Sequence, residues 1–216
     1  ISPMTDIKPN PNTSTDGLSD LIRRAQKETG ATDGGKKGLP PVQLWNPDFC
    51  GDLDMEIQSD GTWFYLGTPI GRDALVRLFS GILIYEDEKY FLVTPVEKVG
   101  IRVDDAPFVG VELHISDEGT EKQALTLRTN VGDIVEIGAE HPLRFDFYGE
   151  ENQLKPYALV RDIRGRLEAL FARPLLYQLV DYGETVDVDG VSMFAVRSRG
   201  EIFPIMPADE LERLSA

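Results

Sequence analysis

Apolar residues along the chain recur at helical spacing in three places and at strand spacing in most others. Leu18, Leu21, Ile22 and Ala25 share one face of a short helix over 18–29, which Gly30 stops. Leu75, Leu78 and Phe79 make a second helical face ending at Gly81. Ile163, Leu167, Leu170 and Phe171 make a third over about 162–173, closed by Pro174. Between and after these, short strands are predicted at 54–58, 62–66, 82–85, 90–93, 98–103, 108–116, 122–128, 133–137, 143–147, 175–180, 191–197 and 201–205. The stretch 108–116 shows the pattern most clearly, with Val109, Val111, Leu113 and Ile115 alternating with Glu112 and His114. Ser59-Asp60-Gly61, the charged segment 86–89, Asp189-Gly190 and Arg199-Gly200 are the turn signals.

Ahead of this β-rich body lies a polar lead. Residues 1–17 are broken by Pro9 and Pro11 and are expected to be flexible and dispensable, with Ile1-Ser2-Pro3 preceding the natural start at Met4. The helix 18–29 is too short to hold alone and is expected to dock through Leu18, Leu21 and Ile22. Residues 30–41 read as a linker. Within it, Gly30, Gly35 and Lys36 approach a phosphate-binding loop, but Lys37 stands where a magnesium-binding hydroxyl belongs, and Pro40-Pro41 forbid the helix that must follow.

An internal repeat is visible. Sliding the chain by 92 residues aligns 65–85 with 157–177 without a gap, and seven of 21 positions are identical: Tyr65/Tyr157, Arg72/Arg164, Leu75/Leu167, Leu78/Leu170, Phe79/Phe171, Leu83/Leu175 and Tyr85/Tyr177. The predicted fold class is α+β, with two β-rich halves that each carry a strand–helix–strand unit. The predicted organisation is a lead over 1–40, a first half over 41–104, a second over 105–208 and a tail over 209–216.

Charge narrows the partners. The formal net charge is −15, with 37 acidic and 22 basic residues in 216. Such a chain is repelled by nucleic-acid backbones and anionic membranes, so neither is expected as a partner. Residues 81–151 hold 16 acidic and 6 basic side chains. A single cysteine, Cys50, allows no internal disulfide and fits a reducing cytoplasm, the expected location.

Catalytic chemistry is thinly represented. His114 and His141 have no neighbouring Ser or Cys arrangement. Two histidines and one cysteine cannot supply a four-ligand zinc site. Adjacent Asp104 and Asp105 point to opposite sides of an extended chain. No metal, no cofactor and no catalytic residue is expected.

The stronger signal is cationic. Thr68 and Pro69 read as the cap and first residue of the second helix, which places Arg72 against the positive end of its dipole. Its repeat counterpart Arg164 sits between Arg161 and Arg166 at the expected start of the third helix. Either these arginines meet an anion together with free helix N–H groups, or Arg72 pairs with a carboxylate such as Glu97 or Asp73. Trp63 is either core or a stacking surface for a base. Thr94 ends a strand, and Glu97 with Lys98 forms either a polar pocket or an exposed pair. Asp105 opens a strand break anchored by Phe108.

The motifs Trp45-x-Pro47, Asp60-Gly61-Thr62-Trp63, Gly67-Thr68-Pro69-Ile70-x-Arg72, Leu78-Phe79-Ser80, Thr94-Pro95-Val96-Glu97-Lys98 and Asp104-Asp105-Ala106-Pro107-Phe108 follow one another in order. With them, most of 42–205 resembles the bacterial domain-of-unknown-function family 1285. The resemblance implies a duplicated α+β core whose second half is loosely similar to pleckstrin-homology folds. It also implies a nucleotide-like ligand between the halves and a role in signal transduction. The combined expectation is a non-catalytic ligand-sensing or adaptor protein, with Arg72, Glu97, Lys98, Thr94, Trp63, Arg164 and Asp105 as ligand-binding candidates and a protein partner also in view. The alternatives are a metal-assisted phosphohydrolase built from carboxylates and a purely structural interaction module whose acidic region binds a basic protein.

Overall fold

The computed structural model describes residues 15–29, 38–150 and 152–215. The expected flexible lead therefore falls almost wholly outside the described residues, as do most of the linker and its phosphate-loop-like sequence. The chain divides into two compact units, one comprising residues up to Ile57 together with Trp63–Arg102, the other Gln58–Thr62 together with Val103 onward.

The first unit opens with α1 (Thr15–Thr29). Leu21 and Ala25 are its fully buried side chains, while Leu18 and Ile22 are only half-buried, so the docking face is turned slightly from the expected one. Strands β1 (Phe49–Ile57), β2 (Trp63–Tyr65) and β3 (Thr68–Pro69) follow, then α2 (Asp73–Gly81) and strands β4 (Leu83–Glu86), β5 (Lys89–Val93) and β6 (Lys98–Val103). They form a six-stranded sheet in the order β3-β2-β1-β6-β5-β4. Met55, Ile57, Trp63, Phe79, Ile84 and Leu92 form its core. Burying such side chains stabilises a fold by roughly 1.5–3 kcal/mol each.

The second unit begins with β7 (Phe108–Ser116), β8 (Ala124–Thr129), β9 (Ile134–Glu136), β10 (Leu143–Tyr148), β11 (Gln153–Arg161) and β12 (Leu167–Phe171). Their sheet runs β10-β11-β12-β7-β8-β9. Counted from the first strand of each sheet, this is the strand order of the first unit read from the opposite edge. The middle pair of the second sheet, β12 and β7, is parallel, and β1 and β6 hold the corresponding middle places in the first. Helix α3 (Arg173–Asp181), a three-stranded antiparallel sheet of β13 (Gly183–Val188), β14 (Val191–Ser198) and β15 (Glu201–Pro207), and α4 (Ala208–Ser215) complete the chain.

The chain is thus α+β and duplicated, but the repeat does not run at the offset of 92. Leu167, Leu170 and Phe171 lie on strand β12, not on a helix, and the third helix begins at Arg173. The five residues Leu167–Phe171 satisfy both periods, and the structure chooses two, burying Leu167, Ala169 and Phe171 alternately. Pro174, taken as a stop, occupies the first turn of α3, where its missing N–H costs nothing. Consequently the strand expected at 175–180 is helical. The element that does recur is a helix followed by three antiparallel strands: α2 and α3 begin 100 residues apart, and β4-β5-β6 and β13-β14-β15 follow them.

Candidate functional site

Two concave surfaces are lined by charged side chains, one in each unit. In the first unit, Thr94 closes the turn between β5 and β6. Its backbone N–H donates to the Glu97 carbonyl (2.9 Å), and its buried Oγ1 accepts from the amides of Val96 (3.4 Å) and Glu97 (3.2 Å). This turn delivers Glu97, only 8% exposed, against α1. There its Oε2 accepts from Arg24 Nη1 at 2.8 Å. Its other oxygen, Oε1, is buried and has no hydrogen-bond partner among the described residues. Arg24 and Glu97 border a cavity of about 80 Å³ whose rim includes Asp20, Cys50, Gly51 and Asp52.

In the second unit a larger groove of about 280 Å³ is lined by Glu118, Glu121, Asp181, Tyr182, Glu184 and Arg197 among others. Its wall is held by Gln123, a buried amide. Gln123 Nε2 donates to the Arg197 carbonyl and its Oε1 accepts from the Gly119 amide, both at 2.9 Å. Ser198 fastens the same hairpin from below, donating to the Ile137 carbonyl (2.7 Å) and accepting from the Leu125 amide (2.9 Å). The one cation of the lining, Arg197, is paired with Glu184 at 2.8 Å. Glu118, Glu121 and Asp181 therefore leave the groove negative. The sequence carried a signal for it in the acidic segment 117–121, but nothing in the sequence joined that segment to Asp181 and Glu184 some 60 residues on.

The residues chosen from the sequence are dispersed. Thr94, Glu97 and Lys98 share one turn. Thr94 is wholly buried and braces the backbone, so it offers no ligand contact. Lys98 does not form a pocket with Glu97; its Nζ lies 3.3 Å from Glu86 and 5.1 Å above the Phe91 ring. Trp63 is core, 1% exposed and stacked on Phe79 with centroids 6.2 Å apart. Arg72 neither pairs with Glu97 nor follows a Thr68 cap. Thr68-Pro69 is the short strand β3, and Arg72 itself occupies the cap position of α2, exposed and without an ion pair to any described residue. Arg164 lies in the turn between β11 and β12, not at a helix start. Asp105 accepts from Lys155 Nζ and from the Tyr157 hydroxyl, each at 2.7 Å. Burial pushes the Tyr157 phenol well above its ordinary value, and the Asp105 carboxylate adds to the shift. Arg24, Gln123 and Glu184 were not foreseen.

Two units of one strand order, each with a charged concavity, define a duplicated α+β protein. Profiles of both halves of one family match the chain: the DUF1285 N-terminal domain over residues 40–106 and the DUF1285 C-terminal domain over 107–205, each described as of unknown function. The chain belongs to the DUF1285 family. A crystal structure of a DUF1285 family protein from Silicibacter pomeroyi DSS-3 is similar at 48% identity and a TM-score of 0.79, covering 93% of this chain and all of that one. One from Shewanella baltica OS155 is 27% identical with a TM-score of 0.47, covering 60% of this chain and 92% of that one. No functionally curated protein matches. Among the described residues, no helix is long and apolar enough to cross a membrane, and no three His, Cys, Asp or Glu side chains are grouped to hold a metal ion.

Proposed function

We propose that this protein is a non-catalytic adaptor that binds a basic group of a partner in the acidic groove of its second unit. The observation that carries this reading is the groove's lining, four carboxylates around one guanidinium that is already paired. An anionic ligand brought there loses hydration and meets repulsion, whereas a lysine or arginine side chain meets charge-assisted acceptors. The wall is pre-formed by the Gln123 and Ser198 hydrogen bonds, so little ordering opposes binding. Amide chemical-shift mapping with a short Lys/Arg-rich peptide tests it. Shifts should centre on 118–123, 181–184 and 197, and they should weaken with added salt.

A second reading, a nucleotide-like anion in a signalling role, has Arg72 in its favour, an exposed guanidinium at the start of α2 that no described acid neutralises. A nucleotide panel in the same experiment separates the two. Shifts at 70–75 with nucleotide, and none in the groove with peptide, would replace the first reading by the second.

A further inference from the structure

Most sheet edges in this chain are short. Of the four outer strands of the two six-stranded sheets, β3 has two residues, β9 three and β4 four, whereas β10 has six. Short edges keep folded chains from pairing with foreign strands, and β10 carries no proline, lysine or bulge in their place. Its neighbour fixes its bonding pattern. The Leu159 N–H donates to the Pro142 carbonyl at 3.1 Å, so at a period of two Arg144, Asp146 and Tyr148 bond to β11. Leu143, Phe145 and Phe147 then turn their backbone N–H and C=O groups away from the sheet, where no described strand pairs with them. Phe147 is also 41% exposed, an apolar ring beside an open edge.

We propose that β10 is a self-complementary edge, which pairs antiparallel with β10 of a second copy of this chain. Charge selects the register. A two-fold axis at Arg144 sets arginine against arginine, and an axis at Asp146 sets carboxylate against carboxylate. An axis at Phe145 instead sets Arg144 of each copy against Asp146 of the other, and it engages all three outward-facing residues. Arg144 and Asp146 pair with each other, and Arg144 also holds Glu168 at 2.7 Å, yet their side chains stay 42% and 55% exposed and can meet a second partner. On the opposite face, Phe147 comes against Leu143 of the second copy, which covers its exposed ring.

Sedimentation equilibrium of the full chain tests this, in about 0.15 M salt so that repulsion between two copies at −15 is screened beyond about 8 Å. A single strand pair is a small interface, so dimer should appear only as concentration rises from about 5 µM to about 500 µM. Hydrogen exchange over the same range should show the Phe145 and Phe147 amides gaining protection, while those of Arg144 and Asp146 are protected throughout. Asp146→Lys makes both charge pairs repulsive and should weaken the dimer roughly tenfold or more. Arg144→Glu does the same from the other side, and an equal mixture of the two variants should dimerise as the native chain does. If Arg144→Glu does not fold, Asp146→Lys and the exchange pattern decide. A monomer at every concentration, a dimer that Asp146→Lys leaves unchanged, or folded variants that do not associate on mixing would overturn the proposal. So would Phe145 and Phe147 amides protected at every concentration, since another segment of the same chain would then cover the edge.

Discussion

Gly183 lies beneath the ring of Phe194, so close that a Cβ at Gly183 would come within 2.1 Å of the ring's Cζ. The ring covers the start of β13 diagonally, its own paired residue being Thr185. This contact fixes the edge strand beside the acidic groove, since Gly183 is part of the groove's lining. Gly183→Ala should therefore push the ring out of a packed site and destabilise the fold by about 1–3 kcal/mol, the usual range for overpacking. Urea denaturation measures it, and an unchanged midpoint would contradict the account of β13.

Alkaline pH should act on the fold through Tyr157. Its folded phenol is held above the ordinary value by burial and by the Asp105 carboxylate, while the unfolded phenol ionises near pH 10. The stabilisation is whole below about pH 10 and is lost as pH rises, because the unfolded state then releases a proton that the folded state retains. Thermal melts from pH 8 upward should show a steeper decline in the native protein than in Tyr157→Phe. Parallel declines would exclude Tyr157 as the cause.

Arg24 and Arg72 should behave differently on removal. Arg24→Ala leaves the Glu97 carboxylate buried with neither oxygen paired, which should cost about 2–4 kcal/mol, somewhat under the full range because the Arg24 side chain is 37% exposed. Arg72→Ala removes an exposed cation from the start of α2 and should change stability by less than about 0.5 kcal/mol. Equilibrium denaturation of both variants checks the contrast, which fails if Arg72→Ala proves the more damaging.

Two turn glycines should separate strain from crowding. Gly61 has φ +86°, and a Cβ there would lie 2.7 Å from Asn130 Nδ2, disturbing the side chain whose Oδ1 accepts from the Val109 amide at 3.0 Å. Gly67 has φ +73° with open space around it. Gly67→Ala should then cost only the backbone strain, about 1–2 kcal/mol, and Gly61→Ala should cost more. Equal losses would show that the Asn130 contact is of no consequence.

Much of the fold was legible in the sequence because alternation is local. The strands at 98–103 and 108–116 coincide with β6 and β7, and the Asp60 turn appears as a hairpin connection in which the Asp60 carboxylate accepts from the Thr62 amide at 2.9 Å. The failures lie where one short run fits two periods. Leu167–Phe171 is too short for periodicity to decide, and the arginine-rich turn before it looked like a helix start. The repeat reads at 92 residues for the same reason: seven identities fall in register there, whereas the folded helices α2 and α3 begin 100 residues apart. The candidate site was less legible. Glu97 does line a cavity, but its partner Arg24 lies 73 positions away on α1, and local pattern cannot pair them. The groove is assembled from 118–123, 181–184 and 197, segments that only the folded sheet brings together.

The most direct measurement for the adaptor reading is calorimetric titration of a Lys/Arg-rich peptide into the native protein and into the double variant Glu118→Gln/Glu121→Gln. These two carboxylates line the groove and form no ion pair among the described residues, so their loss should leave the fold intact. Each should contribute about 0.5–1 kcal/mol to binding a cation, which makes the variant roughly 5–30-fold weaker with an unchanged melting temperature. Equal affinity for the two proteins, or competition of the peptide by a nucleotide, would contradict the assignment of the groove to a basic partner.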